Sequence, residues 1–216
     1  MKSILVIRLK AIGDVVLTLP AVNAVRQNFP NAKITFLTSK ENAALLQGFR
    51  EVNEVISLDR AALRSGNPLK VVRVFFRMLH QLRKGKFDLV VDLHGYGETA
   101  WLARITGAPQ RWCGVHRTGH LWAYTRRIAP VSAIHAAQWH LQTLQACGLE
   151  IGTIRNEFVL PESALRDARV WFDQHELNPV NPTLYLQPFT SGAHKNWPLE
   201  NYLAVARHWR QQGVQI

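Results

Sequence analysis

The stretch from residue 4 to residue 26 constrains the fold more than any other part of the chain. Residues 4–7, Ile-Leu-Val-Ile, are an unbroken apolar run rich in β-branched side chains, which is typical of a strand buried on both faces. Residues 15–26 carry apolar side chains at helical spacing. A buried strand followed by a helix is the repeating unit of parallel sheets, so the sequence predicts an α/β protein.

Between this strand and helix lies a crossover, residues 8–14, with the sequence Arg-Leu-Lys-Ala-Ile-Gly-Asp. In an open parallel sheet such a crossover lies above the carboxyl end of its strand, where ligands bind. Gly13 would let the backbone approach a ligand closely, and Asp14 would be the first ionisable group on the rim of the cleft. The alternative is that Asp14 serves only as the N-cap of the helix.

Strand and helix signals continue to alternate along the chain, which predicts a doubly wound parallel sheet. The further strand-like segments are residues 33–38, 55–58, 87–95 and 111–115. One of the intervening helices, residues 69–83, is predicted to be amphipathic, with a basic outer face. Its apolar stripe consists of Val71, Val72, Val74, Phe75, Met78, Leu79 and Leu82.

The chain is strongly basic. Its 216 residues include 26 Lys and Arg against 15 Asp and Glu, for a formal net charge of +11. Such an excess favours an anionic partner, which could be nucleic acid, a membrane surface or a phosphorylated substrate. The length allows one large domain, or one domain and part of another.

Cysteine usage and hydropathy bear on the compartment. Cys113 and Cys147 are far apart and form no Cys-x-x-Cys pattern, so neither a disulfide framework nor a zinc site is predicted. No run reaches the roughly 18 apolar residues that a membrane span requires, and the first apolar run is too short for a signal peptide. We expect a cytoplasmic protein whose membrane role, if any, is peripheral.

Further candidate ligand residues follow the third and fourth predicted strands. Arg60 and Arg64 follow the third strand, whereas Asp92 and His94 end the fourth. Because the carboxyl ends of parallel strands meet at one edge, these side chains are expected on the same rim as Asp14. Alternatively, the two arginines are solvated surface charges, Asp92 caps the following loop, and His94 is satisfied by its neighbours.

Residues 175–182 have the composition of a linker, with two prolines and two asparagines. We therefore predict a first domain over residues 1–174 and the start of a second over residues 183–216. In the second, Thr190, Ser191 and Gly192 follow a predicted strand at 183–187 and could cradle a diphosphate beside the charge of Lys195. The alternative is an ordinary polar loop.

Two of these motifs resemble the ADP-heptose:lipopolysaccharide heptosyltransferase family. The first is residues 8–20, where Gly13 and Asp14 are followed by an apolar helix and Pro20. The second is residues 187–198, Gln-Pro-Phe-Thr-Ser-Gly-Ala-His-Lys-Asn-Trp-Pro, which is similar to the family's donor-binding strand-loop-helix. The resemblance implies a GT-B fold, with a Rossmann-like acceptor-binding domain followed by the first βα unit of a nucleotide-sugar-binding domain.

The resemblance also implies a reaction, namely inverting transfer of heptose from ADP-heptose to the lipopolysaccharide inner core, on Kdo-lipid A or a heptosylated core. Asp14 would be the general base, and Lys195 would stabilise the departing β-phosphate. The implied donor-binding residues are Gly13, Thr190, Ser191, Gly192 and Lys195, and the implied acceptor-binding residues are Arg8, Arg60, Arg64, Asp92 and His94.

The same resemblance implies that ADP-heptose is a co-substrate, that no cofactor is used, and that no nucleic acid is bound. No carboxylate cluster in the sequence predicts a metal site, and the need for a metal stays open. The basic surplus would suit acceptor phosphates and an anionic membrane, on the inner face of the inner membrane. Since the family's proteins are longer, we expect a fragment with weak donor binding. Two alternatives stay open: a GT-B enzyme for another nucleotide sugar, and a non-catalytic basic module for anionic glycolipid or nucleic acid.

Overall fold

A computed structural model describes residues 1–114, 118–129, 131, 133–190 and 192–216 of the protein. The chain divides into two compact units, Met1–Val159 and Leu160–Ile216.

The first unit is built on a six-stranded parallel sheet. Its strands are β1 (Ser3–Ile7), β2 (Lys33–Ser39), β3 (Glu54–Leu58), β4 (Leu89–Asp92), β5 (Gln110–Gly114) and β6 (Arg126–Ile128). They pair in the order β3-β2-β1-β4-β5-β6. This order reverses between β1 and β4, as in doubly wound nucleotide-binding folds. The predicted α/β class and parallel sheet are therefore confirmed.

The helices of the first unit connect these strands. They are α1 (Ile12–Asn28), α2 (Ala43–Leu46), α3 (Arg60–Leu63), α4 (Pro68–Lys84), α5 (Gly97–Ile105) and α6 (Ala136–Ala146), with short 3₁₀ helices at Lys40–Asn42 and Thr118–Ala123. The start of α1 differs from the prediction, because the helix begins at Ile12 instead of residue 15. Gly13 and Asp14 therefore belong to its first turn and not to the crossover.

The core lies on both faces of the sheet, as the apolar run at residues 4–7 predicts. Ile4 and Val6 pack with side chains of α1 and α6 on one face. Leu5 and Ile7 pack with side chains of α4 and α5 on the other. All four strand residues are completely buried. Because alternate side chains of a strand point to opposite faces, a strand covered by helices on both sides must be apolar throughout.

The apolar stripe predicted for α4 is buried only in part. Met78 and Leu82 are buried, but Val72 and Phe75 are 50% and 51% exposed. Helical periodicity predicts which face is apolar and does not predict how far the core extends beneath it. Neither α4 nor any other helix in the described part of the chain is long and apolar enough to cross a bilayer.

The second unit contains α7 (Glu162–Gln174), α8 (Leu199–Gln211) and a 3₁₀ turn at Ala193–Lys195. The strand predicted at residues 183–187 is represented by a single parallel bridge between Thr183 and Gln215. Leu184 N–H donates to Gln215 O at 2.8 Å, and Gln215 N–H donates to Pro182 O at 3.0 Å. These contacts pair too few residues to make a strand.

The division into units also differs from the predicted domain boundary. Both α7 and the predicted linker, residues 175–182, belong to the second unit. Within the linker, Asn178 N–H donates to Gln215 Oε1 at 2.7 Å, and Gln215 Nε2 donates to Asn178 O at 2.9 Å. The composition of residues 175–182 indicates turns, but it carries no information on these long-range hydrogen bonds. The predicted domain bounds stay a prediction. The ligands assigned to the two domains remain predictions.

Candidate active site

A hollow of about 560 Å³ opens at the carboxyl edge of the sheet. It is lined by residues that follow β1 and β4, namely Arg8, Lys10, Ala11, Asp14, His94, Tyr96 and Glu98. β1 and β4 are the two strands between which the strand order reverses, and doubly wound folds bind their ligands at this switch point. The structure thus brings together three of the predicted site residues, Arg8, Asp14 and His94.

The carboxylate of Asp14 is held from two directions. Arg8 Nη2 lies 2.8 Å from Asp14 Oδ2, and Ala11 N–H donates to the same oxygen at 2.9 Å. Burial alone would raise the pKa of Asp14, but the hydrogen bond from Ala11 and the ion pair with Arg8 together hold it below its usual value. Asp14 is therefore ionised at neutral pH. Since both contacts use Oδ2, Oδ1 remains available to a ligand.

Asp14 is not the N-cap of α1, so the alternative role suggested by the sequence is wrong. The N-cap of α1 is Ala11, and Asp14 occupies the third position of the helix. From there its carboxylate accepts the N-cap N–H, which is the reciprocal half of a capping box. Asp14 therefore stabilises the start of α1 with one oxygen while the side chain is 45% exposed.

Arg8 connects the two loops that form the hollow. Its Nη1 donates to Leu93 O at 2.6 Å, in the loop after β4, and its Nη2 pairs with Asp14. Its side chain is only 14% exposed. The guanidinium, which the sequence assigned to the acceptor, is here engaged by two protein groups, so the geometry favours a positioning role.

His94 lies at the base of the hollow and is buried. Neither of its ring nitrogens forms a hydrogen bond within the described residues, although Nε2 lies 3.5 Å from Glu98 Oε1. Burial is the main cause that lowers the pKa of His94 to about 4, and the nearby cations add to it; these are Arg8, Lys10 and Arg60. At neutral pH His94 is an uncharged imidazole that can exchange a hydrogen bond with a ligand hydroxyl.

Asp92 lies beneath the hollow and not on its wall. Only 1% of its surface is exposed. Its Oδ1 accepts the N–H groups of His94 and Gly95 at 2.8 and 3.0 Å, and its Oδ2 accepts the hydroxyl of Tyr124 at 2.6 Å. Burial raises the pKa of Asp92 in spite of these hydrogen bonds. The predicted contact between Asp92 and the acceptor is therefore replaced by the alternative role, a cap that shapes the loop of His94.

The two predicted loop arginines differ in their surroundings. Arg60 Nη2 lies 3.4 Å from both carboxylate oxygens of Glu98, which is itself on the wall of the hollow. Arg64 is exposed and forms no ion pair with any described residue. Lys10 likewise lines the hollow without an ion pair to the described residues. The hollow is lined by two cations, Arg8 and Lys10, and two carboxylates, Asp14 and Glu98, while Arg60 lies beside Glu98. Since Arg8 pairs with Asp14 and Arg60 with Glu98, the positive charge that can bind an anionic ligand comes chiefly from Lys10.

A second hollow of about 260 Å³ adjoins the first and shares Arg8, His94 and Tyr96 with it. Its other walls are Val131, Ile134, Ala136, Trp139 and His140. These side chains are mostly apolar and include an indole, a combination that suits the apolar face of a sugar ring. His94 therefore belongs to the lining of both hollows.

The cysteines provide no nucleophile. Cys113 and Cys147 are free thiols, and both are buried. Burial raises the pKa of Cys147 to about 11 and that of Cys113 still further. The described residues contain no group of three or more His, Cys, Asp or Glu that could hold a metal ion.

The predicted phosphate loop lies in the second unit, and several of its backbone N–H groups form hydrogen bonds within the loop. Thr190 N–H donates to Asn196 Oδ1 at 2.9 Å, and the longer bond from Gly192 N–H reaches Thr190 Oγ1 at 3.3 Å. Lys195 N–H donates to Gly192 O at 2.9 Å. Ser191 lies outside the described residues. The backbone donors of Thr190 and Gly192, predicted to cradle a diphosphate, are thus engaged within the loop.

Lys195 itself is exposed, and its ammonium forms no ion pair with the residues that the structure describes. Gly13, on the first unit, is also exposed, and a Cβ built on it would meet no atom within 4 Å. Both residues are therefore accessible to a ligand. Their assignment to the donor, and a cleft shared by Asp14 and Lys195, stay predictions.

Sequence reasoning missed two residues that organise the site. Glu98 lies between His94 and Arg60. It could have been found from its position, because an acidic residue in the first turn of a helix lies close to the ligand-binding edge of the sheet. Tyr124 fixes Asp92 from a segment 32 residues away. No local pattern identifies Tyr124, because its role depends on a tertiary contact.

Comparison with known proteins identifies the family of this chain. The family profile described as glycosyltransferase family 9 (heptosyltransferase) matches residues 75–216. Among curated proteins, lipopolysaccharide heptosyltransferase 3 of Escherichia coli (strain K12) is 23% identical over 207 residues. That alignment covers 94% of this chain and 59% of the relative, so the chain spans about three-fifths of the relative's length.

Solved structures show the same fold. The glycosyl transferase family 9 protein from Veillonella parvula DSM 2008 superposes with a TM-score of 0.85 at 22% identity, covering 99% of this chain and 60% of that protein. The E. coli heptosyltransferase WaaC, solved with ADP, gives a TM-score of 0.76 at 19% identity, with 99% and 67% coverage. These similarities confirm the GT-B type of the fold. Because the family profile matches well over half of the residues of this chain, the chain belongs to glycosyltransferase family 9, the heptosyltransferases.

Proposed function

We propose that this chain carries the acceptor side of an inverting heptosyltransferase that moves heptose from ADP-heptose to the lipopolysaccharide inner core. The observation that carries the proposal is the ionised Asp14, which lines a hollow together with Arg8 and Lys10 at the switch point of the sheet. Membership in family 9 supports the reaction class. The name of the E. coli relative supports the acceptor class, and the structure of WaaC with ADP supports the donor.

In the proposed reaction, an acceptor hydroxyl attacks the anomeric carbon of the heptose on the face opposite the diphosphate. The bond from that carbon to the β-phosphate oxygen breaks, ADP departs, and the hydroxyl proton passes to the carboxylate of Asp14. A carboxylate with a lowered pKa is a weak base. The proton is therefore transferred late, once the forming bond has made the hydroxyl acidic.

The acceptor is held by the groups around Asp14. Lys10 and Arg60 supply positive charge for acceptor phosphates or carboxylates, and Arg64 adds a further cation at the end of α3. We assign the neutral imidazole of His94 to orient the attacking hydroxyl, which must reach a ring nitrogen that the protein buries and leaves without a hydrogen bond in the described structure. Arg8 acts through Asp14, whose carboxylate it fixes.

The donor is assigned to the second unit and to Gly13. Because Thr190 N–H is already bonded to Asn196, we assign the diphosphate chiefly to the ammonium of Lys195, and we keep Ser191 and Gly192 as further candidates. Negative charge on the departing β-phosphate grows in the transition state, where a fixed cation stabilises it most. We place the reaction at the cytoplasmic face of the inner membrane, where the chain would act as a peripheral protein.

The test compares two carboxylates that each accept a backbone N–H near a helix start. Asp14 accepts from Ala11, and Asp59 accepts from Ala62 at 2.8 Å at the start of α3. Release of ADP would be measured with ADP-heptose and Kdo-lipid A or its heptosylated form. We expect Asp14→Asn to lower the rate about 100-fold or more. Asp59→Asn should change stability by less than about 0.5 kcal/mol, because Asn caps a helix about as well as Asp, and should leave the rate of the folded protein unchanged.

An Asp14→Asn variant that keeps its rate, once corrected for the folded fraction, would contradict a catalytic role for this carboxylate. If the chain transfers a sugar from another nucleotide sugar and not from ADP-heptose, the proposed chemistry stands and the proposed donor is wrong.

A further inference from the structure

The first half of α4 presents an exposed surface that the proposed chemistry does not use. We call it the α4 face and define it by the exposed side chains Leu69, Lys70, Val72, Arg73, Phe75, Phe76 and Arg77. Phe76 is 61% exposed, and its ring meets that of Phe75 edge to face with centroids 5.8 Å apart. Two adjacent exposed phenylalanines on one helix require an explanation, because burial of such side chains is strongly favourable.

The α4 face is divided into an apolar and a basic stripe. At 3.6 residues per turn, Leu69, Val72 and Phe76 fall on one side of the exposed surface, at spacings of three and four residues. Lys70, Arg73 and Arg77 follow the same spacing on the adjacent side. Both stripes lie away from Met78 and Leu82, which are buried against the core. On its exposed surface, α4 therefore carries an apolar stripe directly beside a basic one, which is the arrangement of an amphipathic helix.

The charge around the α4 face has one sign. Residues 60–87 contain eight Lys or Arg and no Asp or Glu. An anionic partner is thus favoured by the basic stripe, while the apolar stripe needs an environment that excludes water. The boundary between headgroups and acyl chains of an anionic bilayer offers both.

Two other occupants fit the α4 face less well. A second copy of the chain, related by a two-fold axis, would bring the same unneutralised cations against one another, which opposes association. Nucleic acid would satisfy the cations, but it offers no apolar environment for Leu69 and Val72, whose aliphatic side chains do not stack on bases.

We infer that the α4 face docks on an anionic lipid bilayer, with Leu69, Val72 and Phe76 entering the acyl boundary and Arg73 and Arg77 among the headgroup phosphates. Because α4 begins on the carboxyl side of β3, its exposed half lies at the same edge of the sheet as the hollow of Asp14. Docking would hold that hollow near the headgroup layer, where the lipid-borne acceptor is found. This last consequence rests on the proposed function, whereas docking itself does not.

The experiment is co-sedimentation of the chain with vesicles, in the absence of nucleotide sugar and of lipopolysaccharide. Binding is expected with vesicles of phosphatidylglycerol and phosphatidylcholine, weaker with phosphatidylcholine alone, and weaker at high salt. Arg73→Gln with Arg77→Gln should lower the partition coefficient about tenfold or more. Phe76→Ser should lower it about fivefold.

Matched controls come from the second unit. Phe189 is 63% exposed, close to the exposure of Phe76, and Arg166 and Arg169 are an exposed pair on α7. Phe189→Ser, and Arg166→Gln with Arg169→Gln, should leave vesicle binding within about twofold of the unmodified chain. Unfolding temperatures would show whether all variants fold. We expect them to be close to that of the unmodified chain, because every changed side chain is exposed.

Three results would overturn the inference: no binding to anionic vesicles, equal losses in the α4 and control variants, or a dimer that Phe76→Ser dissociates without any change in lipid binding. Tight RNA binding that persists in Phe76→Ser, without vesicle binding, would assign the α4 face to nucleic acid instead. Because no donor or acceptor is present, none of these results depends on whether the chain transfers heptose.

Discussion

The hydroxyl of Tyr124 donates a hydrogen bond of 2.6 Å to the buried carboxylate of Asp92, across 32 residues of sequence. This contact fixes the support of the candidate site, because the other oxygen of Asp92 accepts the N–H groups of His94 and Gly95. The position of the His94 ring thus depends on a phenol in a different segment of the first unit.

Tyr124→Phe is expected to destabilise the protein by about 1–3 kcal/mol, because one oxygen of the buried Asp92 loses its partner. Urea unfolding would measure the change. Tyr96→Phe is the matched control, since the Tyr96 side chain is 50% exposed and its hydroxyl can bond to water. It should change stability by less than about 0.5 kcal/mol. Equal effects of the two substitutions would contradict the role of Tyr124.

Arg8→Gln should raise the pKa of Asp14 towards the ordinary value for Asp, because the ion pair that favours the carboxylate is lost. Carbon-13 NMR titration of the Asp14 carboxyl would follow the change. The substitution also removes the donor to Leu93 O, so we expect a loss of about 1–3 kcal/mol in stability. Lys10→Gln removes a cation from the same hollow without breaking that ion pair and should shift the pKa of Asp14 less.

The low pKa of His94 predicts a dependence of stability on pH. The pKa is about 4 in the folded protein against 6.5 for an ordinary His, so the unfolded state binds a proton first as pH falls. Stability is therefore expected to decrease as the pH falls from about 6.5 to about 4. Urea unfolding at several pH values would measure it, with His94→Gln as the comparison because Gln does not titrate. Parallel curves for the two proteins would show that His94 is not responsible.

Lys195→Ala tests the donor assignment. Loss of a charge-assisted contact with phosphate is expected to weaken ADP binding roughly 10- to 100-fold, as measured by calorimetry. Stability should remain within about 0.5 kcal/mol, because the side chain is exposed and forms no ion pair with the described residues. Arg207→Ala removes another exposed cation from the second unit and should leave ADP binding intact. ADP binding that tolerates Lys195→Ala would remove this residue from the proposed mechanism.

Much of the first unit could be predicted from local patterns. Residues 4–7 predicted a strand covered on both faces because an uninterrupted apolar run fits no other position in an α/β sheet. The convergence of Asp14 and His94 could also be predicted, since both follow parallel strands and such strands end at one edge. Neither inference required knowledge of a distant contact.

The remaining features depend on tertiary contacts that local patterns do not encode. Asp92 was an acceptor candidate because polar residues at strand ends often bind ligands, but Tyr124 and the tight loop after β4 bury it. β6, Arg126–Ile128, was missed because it is a three-residue edge strand with two arginines, and it forms only by pairing with β5. The exposure of the first half of α4 could not be predicted for the same reason, since helical periodicity carries no information on what lies beneath a helix.

The reversal of strand order between β1 and β4 has a consequence for how this scaffold can diversify. All the side chains around the hollow belong to segments that follow the strands, while the strands themselves carry the apolar residues that hold the sheet together. Substitutions in those segments, apart from Arg8 and Asp14, which hold the segments in place, can therefore alter which ligand is recognised without reducing the stability of the sheet. A lineage built on this framework is free to acquire new specificities by exchanging loops alone.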